Sequence, residues 1–177
     1  GVSRMTARQV IAQLVSEGLL FRVQGKGTFV QPAKIAALAP SGYRGIREQL
    51  EDRGYQTNTK VLEVGATIAD MDVAAALDLI QGDPVMQVRR VRTVDDQPIS
   101  YHCSFIPVRL AADLPTHDTG SRQLCVLLAQ EYGLEMGRVF ETLEVIAASD
   151  EQADVLAVRK DAPILLLQQR VQTPNGQ

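Results

Sequence analysis

Residues 1–32, GVSRMTARQVIAQLVSEGLLFRVQGKGTFVQP, decide how the chain is read. Ser3 is a strong helix N-cap residue, because its hydroxyl can accept from the otherwise unpaired first-turn amides. Val10, Ile11, Leu14 and Val15 recur at helical spacing, which predicts an amphipathic helix packed through one stripe. Gly18 is its expected stop. The β-prone runs LFRV (20–23) and TFV (28–30) flank Gln24, Gly25, Lys26 and Gly27, which predicts a hairpin. Two glycines permit positive φ at its turn, and Lys26 leaves a bare cation at the tip.

A capped helix followed by a cation-tipped hairpin is the order in which a winged helix-turn-helix offers a recognition helix to one DNA groove and a wing to the next. A helix N-terminus favours phosphate, and arginine can bond guanine bidentately. Arg4 and Arg8 are therefore expected at bases or phosphates, and Ser3 and Thr6 at phosphates. The alternative is a plain surface helix with two solvated arginines. Charge bears on the choice. Residues 1–32 set Arg4, Arg8, Arg22 and Lys26 against Glu17, a net of +3, whereas the whole chain is −3. A basic head on an acidic body is the electrostatic footprint of a DNA reader attached to something else.

The phrases GVSRMTARQ, LVSEGLL and QGKGTFV resemble the C-terminal two thirds of a GntR-family winged helix. The resemblance implies DNA contact at Ser3, Arg4, Thr6 and Arg8, and at the wing tip Gly25, Lys26 and Gly27. The two helices that precede the recognition helix in that family are absent from the sequence. A partial winged helix is expected, and poor DNA binding by this fragment; the partner, double-stranded operator DNA, needs the missing N-terminal helices.

The 177 residues allow one or two domains, and 45% hydrophobic residues suffice for a core. No apolar run reaches the roughly 20 residues that span a bilayer. The expectation is a cytoplasmic protein with no membrane partner. Cys103 and Cys125 form no framework and read as reduced, partly buried thiols. With only His102 and His117 available, no metal site and no cofactor are expected.

After the partial winged helix (1–32), residues 33–44 contain Pro40, Ser41 and Gly42 and read as a linker. Residues 45–177 form the expected second domain. It opens on a short helix carrying Ile46 and Leu50, stopped by Gly54. A duplication follows. Residues 62–98 and 143–177 each begin Leu-Glu-Val, pass through a short acid-led helix and a proline break, and end on a strand closing in a polar turn. Such a repeat predicts two equivalent halves completing one antiparallel sheet. Residues 99–106 are the hairpin partner of the first arginine strand, and 124–131 a helix ending near Gly133. The second copy stops at its turn, so the C-terminus reads as clipped.

RRVRTVDDQPISYHCSFIP and LLAQEYGL resemble, more loosely, the UTRA ligand-sensing domain of the HutC branch of GntR regulators. The implied fold class is α+β: a chorismate-lyase-like antiparallel sheet domain with flanking helices. Strand alternation places Arg90 and Arg92 on one face and Ser100, His102 and Ser104 on one face of the next strand. If those faces coincide, two guanidiniums, an imidazole and hydroxyls converge without a strand carboxylate to neutralise them. That set suits phosphate, phosphonate or carboxylate. A solvated outer face, or a satisfied core histidine, are the alternatives. The resemblance implies anion binding at Arg90 and Arg92, and places Arg47 near the anionic group. His102 stands where amino-sugar phosphate sensors carry an acidic residue.

The expected function is a homodimeric transcription regulator, a repressor released by a small anionic effector. An enzyme of chorismate-lyase-like fold and a basic interaction module are the competing classes. No Ser/His/Asp set or phosphate loop is found, so no catalytic residue is assigned and an enzyme is not expected.

Overall fold

The computed structural model describes residues 3–16, 20–30 and 46–176. The expected helix stop at Gly18 and the linker 33–44 lie outside the described residues. The chain divides into two compact units, Gly1–Gly42 and Tyr43–Gln177.

The first unit holds α1 (Arg4–Ser16) and a hairpin of β1 (Leu20–Val23) and β2 (Gly27–Val30). Ser3 caps α1: its Oγ accepts from the Thr6 amide at 3.1 Å and lies 2.8 Å from Thr6 Oγ1. Of the predicted stripe, Ile11, Leu14 and Val15 are half-buried, whereas Val10 is exposed. The hairpin pairs Leu20 with Val30 and Val23 with Gly27. The Lys26 amide donates to Val23 O at 3.0 Å, and the turn sets Gly25 at φ +75° and Gly27 at +126°. Glycine is favoured there because a Cβ strains both conformations.

The second unit runs α2 (Ile46–Glu51), β3 (Thr57–Ile68), α3 (Met71–Ala76), β4 (Pro84–Val94), β5 (Gln97–Pro107), α4 (Leu124–Tyr132), β6 (Arg138–Ala147), α5 (Asp150–Leu156) and β7 (Pro163–Gln172). The duplication appears as β3–α3–β4 and β6–α5–β7. Asp70 caps α3 by accepting from the Val73 amide, and Ser149 with Gln152 forms a capping box on α5. The halves do not complete one sheet among the described residues. β3, β4 and β5 form one antiparallel sheet, and β6 and β7 a separate pair. A repeat fixes equivalence, but not adjacency. Each half is closed by local turns, and no described strand links β5 to β7.

The three-stranded sheet is packed on both faces. On one, Met86, Val88 and Ile106 are buried with Ala111, Leu114, Leu124 and Leu127, so α4 covers this face. Leu114 and Leu127 are fully buried, each contributing roughly 1.5–3 kcal/mol by transfer from water. On the other, Val85 packs with Ala69, Ala74 and half-buried Phe105 beneath α3. Leu50, fully buried, anchors α2. Cys103 is exposed rather than part-buried, and accepts from Gln87 Nε2 at 3.3 Å. Among the described residues no helix is long and apolar enough to cross a membrane.

Candidate functional site

The β4–β5 register decides whether the polar faces meet. The tight turn holds Asp95 and Asp96 at φ 48° and 63°, and pairs Arg90 with His102, Arg92 with Ser100, and Val88 with Ser104. Directly opposed residues share a face. The two guanidiniums, the imidazole and both serines are therefore on one surface, the face whose far half is the apolar floor under α4. Arg90 is 6% exposed and Arg92 7%.

Among the described residues, Arg90 is held by a backbone carbonyl rather than by a carboxylate. Arg90 Nη1 donates to Thr119 O at 3.2 Å, while its buried Nε has no partner among the described residues. Arg92 Nε reaches Thr59 Oγ1 on β3 at 3.4 Å. Burial, then the charge of Arg92, weakens the hold of Arg90 on its proton; Cys125 on α4 acts in the other sense. His102 Nε2 lies 2.8 Å from Ser100 Oγ, the donor depending on the imidazole tautomer. Burial, then Arg92 and Arg90, push the His102 pKa down to about 4, so the ring is neutral at pH 7. Ser104 stands half-buried at the apolar boundary beside Val88.

The wall is the loop between His117 and α4. Asp118 accepts from the amides of Gly120 (2.9 Å) and Ser121 (3.1 Å) and from the Ser121 hydroxyl, bonds that hold its carboxyl below the usual range. A Cβ on Gly120 would stand 3.2 Å from Val61 Cγ2, so glycine lets the loop lie on β3. Two carbonyls of this loop hold two arginines: Thr119 O takes Arg90, and Ser121 O takes Arg47 Nη1 at 2.8 Å. Arg47 thus comes to the wall of the site rather than to its floor.

One participant was not read from the sequence. Glu51, on α2, accepts from Arg47 Nε at 2.8 Å and from Thr57 Oγ1 at 2.6 Å. Those bonds, first Thr57 and then Arg47, hold its carboxyl below the ordinary range, and Arg92 adds to the effect. The strand faces carry no carboxylate beside Arg92, but α2 delivers one. A glutamate four residues after an arginine on one helix was the available signal; its meeting with β3 and β4 is long-range. A shallow groove of about 290 Å³ runs along α4, lined by residues including Gln123, Cys125 and Glu135. Among the described residues no group of three or more His, Cys, Asp or Glu is placed to hold a metal.

In the first unit, Ser3 lies at the start of α1, with Arg4, Thr6 and Arg8 exposed in its first turns. Gly25, Lys26 and Gly27 form the exposed hairpin tip. The hydroxyls of Ser3 and Thr6 already bond to each other and to the cap.

Residues 52–177 match the UTRA domain, and residues 1–30 match the bacterial regulatory proteins of the gntR family. The chain is 32% identical over 177 residues to the HTH-type transcriptional repressor NagR of Bacillus subtilis, covering 99% of this chain and 72% of that protein. It is 29% identical over 171 residues to the histidine utilization repressor of Pseudomonas aeruginosa, covering 96% and 67%. The crystal structure of PhnF from Mycobacterium smegmatis shares the fold with a TM-score of 0.79 at 23% identity, covering 99% of this chain and 76% of that one. Reading head and sheet domain together define a transcription regulator with an effector-binding domain. The chain belongs to the GntR family, of the HutC type that carries a UTRA domain.

Proposed function

We propose that this protein is a ligand-released repressor that acts as a homodimer on double-stranded operator DNA and lets go when a small anionic metabolite binds its UTRA domain. The observation that carries the effector reading is Arg90: a buried guanidinium with an unpartnered Nε, next to a second buried guanidinium. A buried charge without a full set of partners is costly. A phosphate, phosphonate or carboxylate entering beside Arg90, Arg92, Ser100 and His102 supplies what is lacking. Arg47 swings from Ser121 O to join it, and Ser104 limits the floor.

Coupling to DNA runs through α2. An anion that draws Arg47 or Arg92 weakens the bonds of Glu51, and α2 follows the segment 33–44 that leads from the reading head. Differential affinity of 1–3 kcal/mol corresponds to about 5–150-fold derepression. At the duplex, Arg4 and Arg8 read bases or phosphates, Ser3 and Thr6 hold phosphates, and Gly25, Lys26 and Gly27 bring the backbone close. Two-fold operators require two copies.

A thermal-shift screen of small anions, followed by operator release in the complete protein, tests the reading. The expected result is an anion that both raises the melting temperature and frees the operator. An anion that stabilises without releasing DNA would remove the coupling, and a protein indifferent to every anion would remove the site. For the reading head, Arg4→Ala should lower specific operator affinity by about 1–3 kcal/mol if it bonds a base. Unchanged affinity would take Arg4 out of the interface.

A further inference from the structure

We infer that the far corner of the first repeat, where Ile68, Met71 and Ile80 stand exposed, is a docking surface for a basic amphipathic segment of another protein. The inference is independent of the effector reading and lies outside that site.

The two repeats close this corner with the same backbone. The Gly82 amide donates to Ala69 O at 2.9 Å, as the Asp161 amide does to Ala148 O at 3.1 Å. The Asp83 amide donates to Ile80 O at 2.9 Å, as the Ala162 amide does to Arg159 O at 3.0 Å. Asp78 and Ala157 hold the same positive φ, 54° and 53°. With the backbones matched, Ile68 stands where the second repeat has Ala147, and Met71 where it has Asp150. Ile80 and Gln81 stand where it has Arg159 and Lys160. In the second repeat an ion pair closes the corner: Lys160 Nζ lies 2.7 Å from Asp150 Oδ1. That contact puts the first residue of the helix within side-chain reach of the turn. In the first repeat the corner is apolar and open, with Ile68 and Met71 each 70% exposed and Ile80 76%. The same framework folds with small and charged side chains at these positions, so folding does not require large apolar ones. Exposed apolar residues scattered singly are ordinary, whereas three at one corner make a patch of the kind that marks an interaction site.

Charge selects the partner. From Val61 to Val88 the sequence carries Glu63, Asp70, Asp72, Asp78 and Asp83 and no Lys, Arg or His. Asp70 and Asp72 flank Met71 and are both exposed, and Asp83 Oδ2 accepts from the Ile80 amide at 2.9 Å. Asp78, on the far side of α3, is engaged by Arg170 of β7 at 3.6 Å. A second copy docked here across a two-fold axis would set these carboxylates against their own kind, which opposes association. A helix with an apolar stripe bordered by Lys and Arg satisfies both features. Its stripe covers Ile68, Met71 and Ile80, and its cations meet the aspartates.

The probe is an amphipathic Leu/Lys peptide of about 14 residues, with leucine at helical spacing. Its controls are a peptide of the same composition with the spacing scrambled and a Leu/Glu counterpart. Fluorescence anisotropy should show the first binding the chain more tightly than either control, and more weakly as salt rises. Grafting the residues of the second repeat, Ile68→Ala, Met71→Asp and Ile80→Arg together, leaves net charge unchanged. It should cut peptide affinity by about tenfold or more without lowering the melting temperature. A readout without substitution is methyl NMR of the chain's four methionines. The Met71 signal should shift or broaden on adding peptide, while buried Met86 should not. Equal binding of the scrambled peptide, or undiminished binding by the grafted chain, would overturn the inference. So would a peptide that moves the Met136 signal instead of Met71, which would place it in the groove along α4. Self-association of the unaltered chain that the graft abolishes in sedimentation would make a second copy the occupant, and would equally overturn it.

Discussion

Arg89 and Arg90 are neighbours on β4, yet they face opposite sides of the sheet and meet opposite treatment. Arg89 donates to Tyr101 Oη at 2.7 Å and to Glu63 Oε2 at 2.8 Å, and also bonds Glu151 of α5. Tyr101 Oη in turn bonds Glu151 at 2.9 Å. Its hydrogen bonds, led by Tyr101 and then Glu63, strengthen the hold of Arg89 on its proton, whereas burial weakens that of Arg90. One arginine is saturated by carboxylates and ties the second repeat to the first. The other is more deeply buried and left with a carbonyl. One strand thus supplies both, and the lack on one face is the feature on which the proposed effector site rests.

The sharpest way to break the comparison is to remove each charge in turn. Arg90→Met should abolish the response to sulfate or phosphonate, with affinity down at least tenfold, because hydrogen bonds to charged groups contribute about 1.5–3 kcal/mol. In anion-free buffer the same substitution should leave unfolding stability unchanged or raise it by about 1 kcal/mol, since an apolar chain replaces an under-partnered buried charge. Denaturant unfolding and thermal shift read the two effects separately. A variant that loses stability and binding together would assign Arg90 a structural role.

Next in size is the pH effect at His102. Its pKa is about 4 in the fold against an ordinary 6.5. A base with a depressed pKa binds fewer protons folded than unfolded, so stability should fall as pH drops from 6.5 towards 4. The loss attributable to this ring is about 2–3 kcal/mol. His102→Gln should flatten that part of the profile relative to the parent chain. Two profiles of equal slope between pH 6.5 and 4.5 would mean that the ring is not held neutral by its neighbours.

Arg89→Met is the complementary change and a smaller one. Glu63 and Glu151 are more than half exposed, so each ion pair is weak and the network contributes about 1 kcal/mol. Anion affinity should stay within about twofold of the parent. A large loss of sulfate binding would mean that the two faces are coupled through the strand.

How legible was this face in the sequence? Period-two alternation put Arg90 and Arg92 together, and the polar turn at Asp95 and Asp96 set a register opposing them to His102 and Ser100. Whether the face was solvated stayed open, although the signal was there: Met86 and Val88 precede Arg90 at the same parity, and Ile106 follows Ser104. A strand face that is apolar for half its length is a covered face. The backbone acceptors Thr119 O and Ser121 O could not be read, because any residue type supplies a carbonyl. The separate β6–β7 pair was missed for a related reason, since internal similarity says nothing of which edges meet.

Glu51 gives the finest test of the comparison, because it brings a carboxylate from α2 towards Arg92. It sits at the end of α2, 41% exposed, holding Arg47 and Thr57 while its charge meets that of Arg92. If this carboxylate partly occupies the role the effector takes, Glu51→Gln should raise sulfate affinity by roughly two- to fivefold, under 1 kcal/mol, as expected for removing an exposed competing charge. The gain should shrink in high salt, where screening already weakens the competitor. The amide still accepts from Thr57, so α2 should keep its place and the melting temperature in anion-free buffer should hardly move. A fall in sulfate affinity would reverse the assignment: Glu51 would then act by positioning Arg47 for the anion, and the route from the site to α2 would run through that arginine alone.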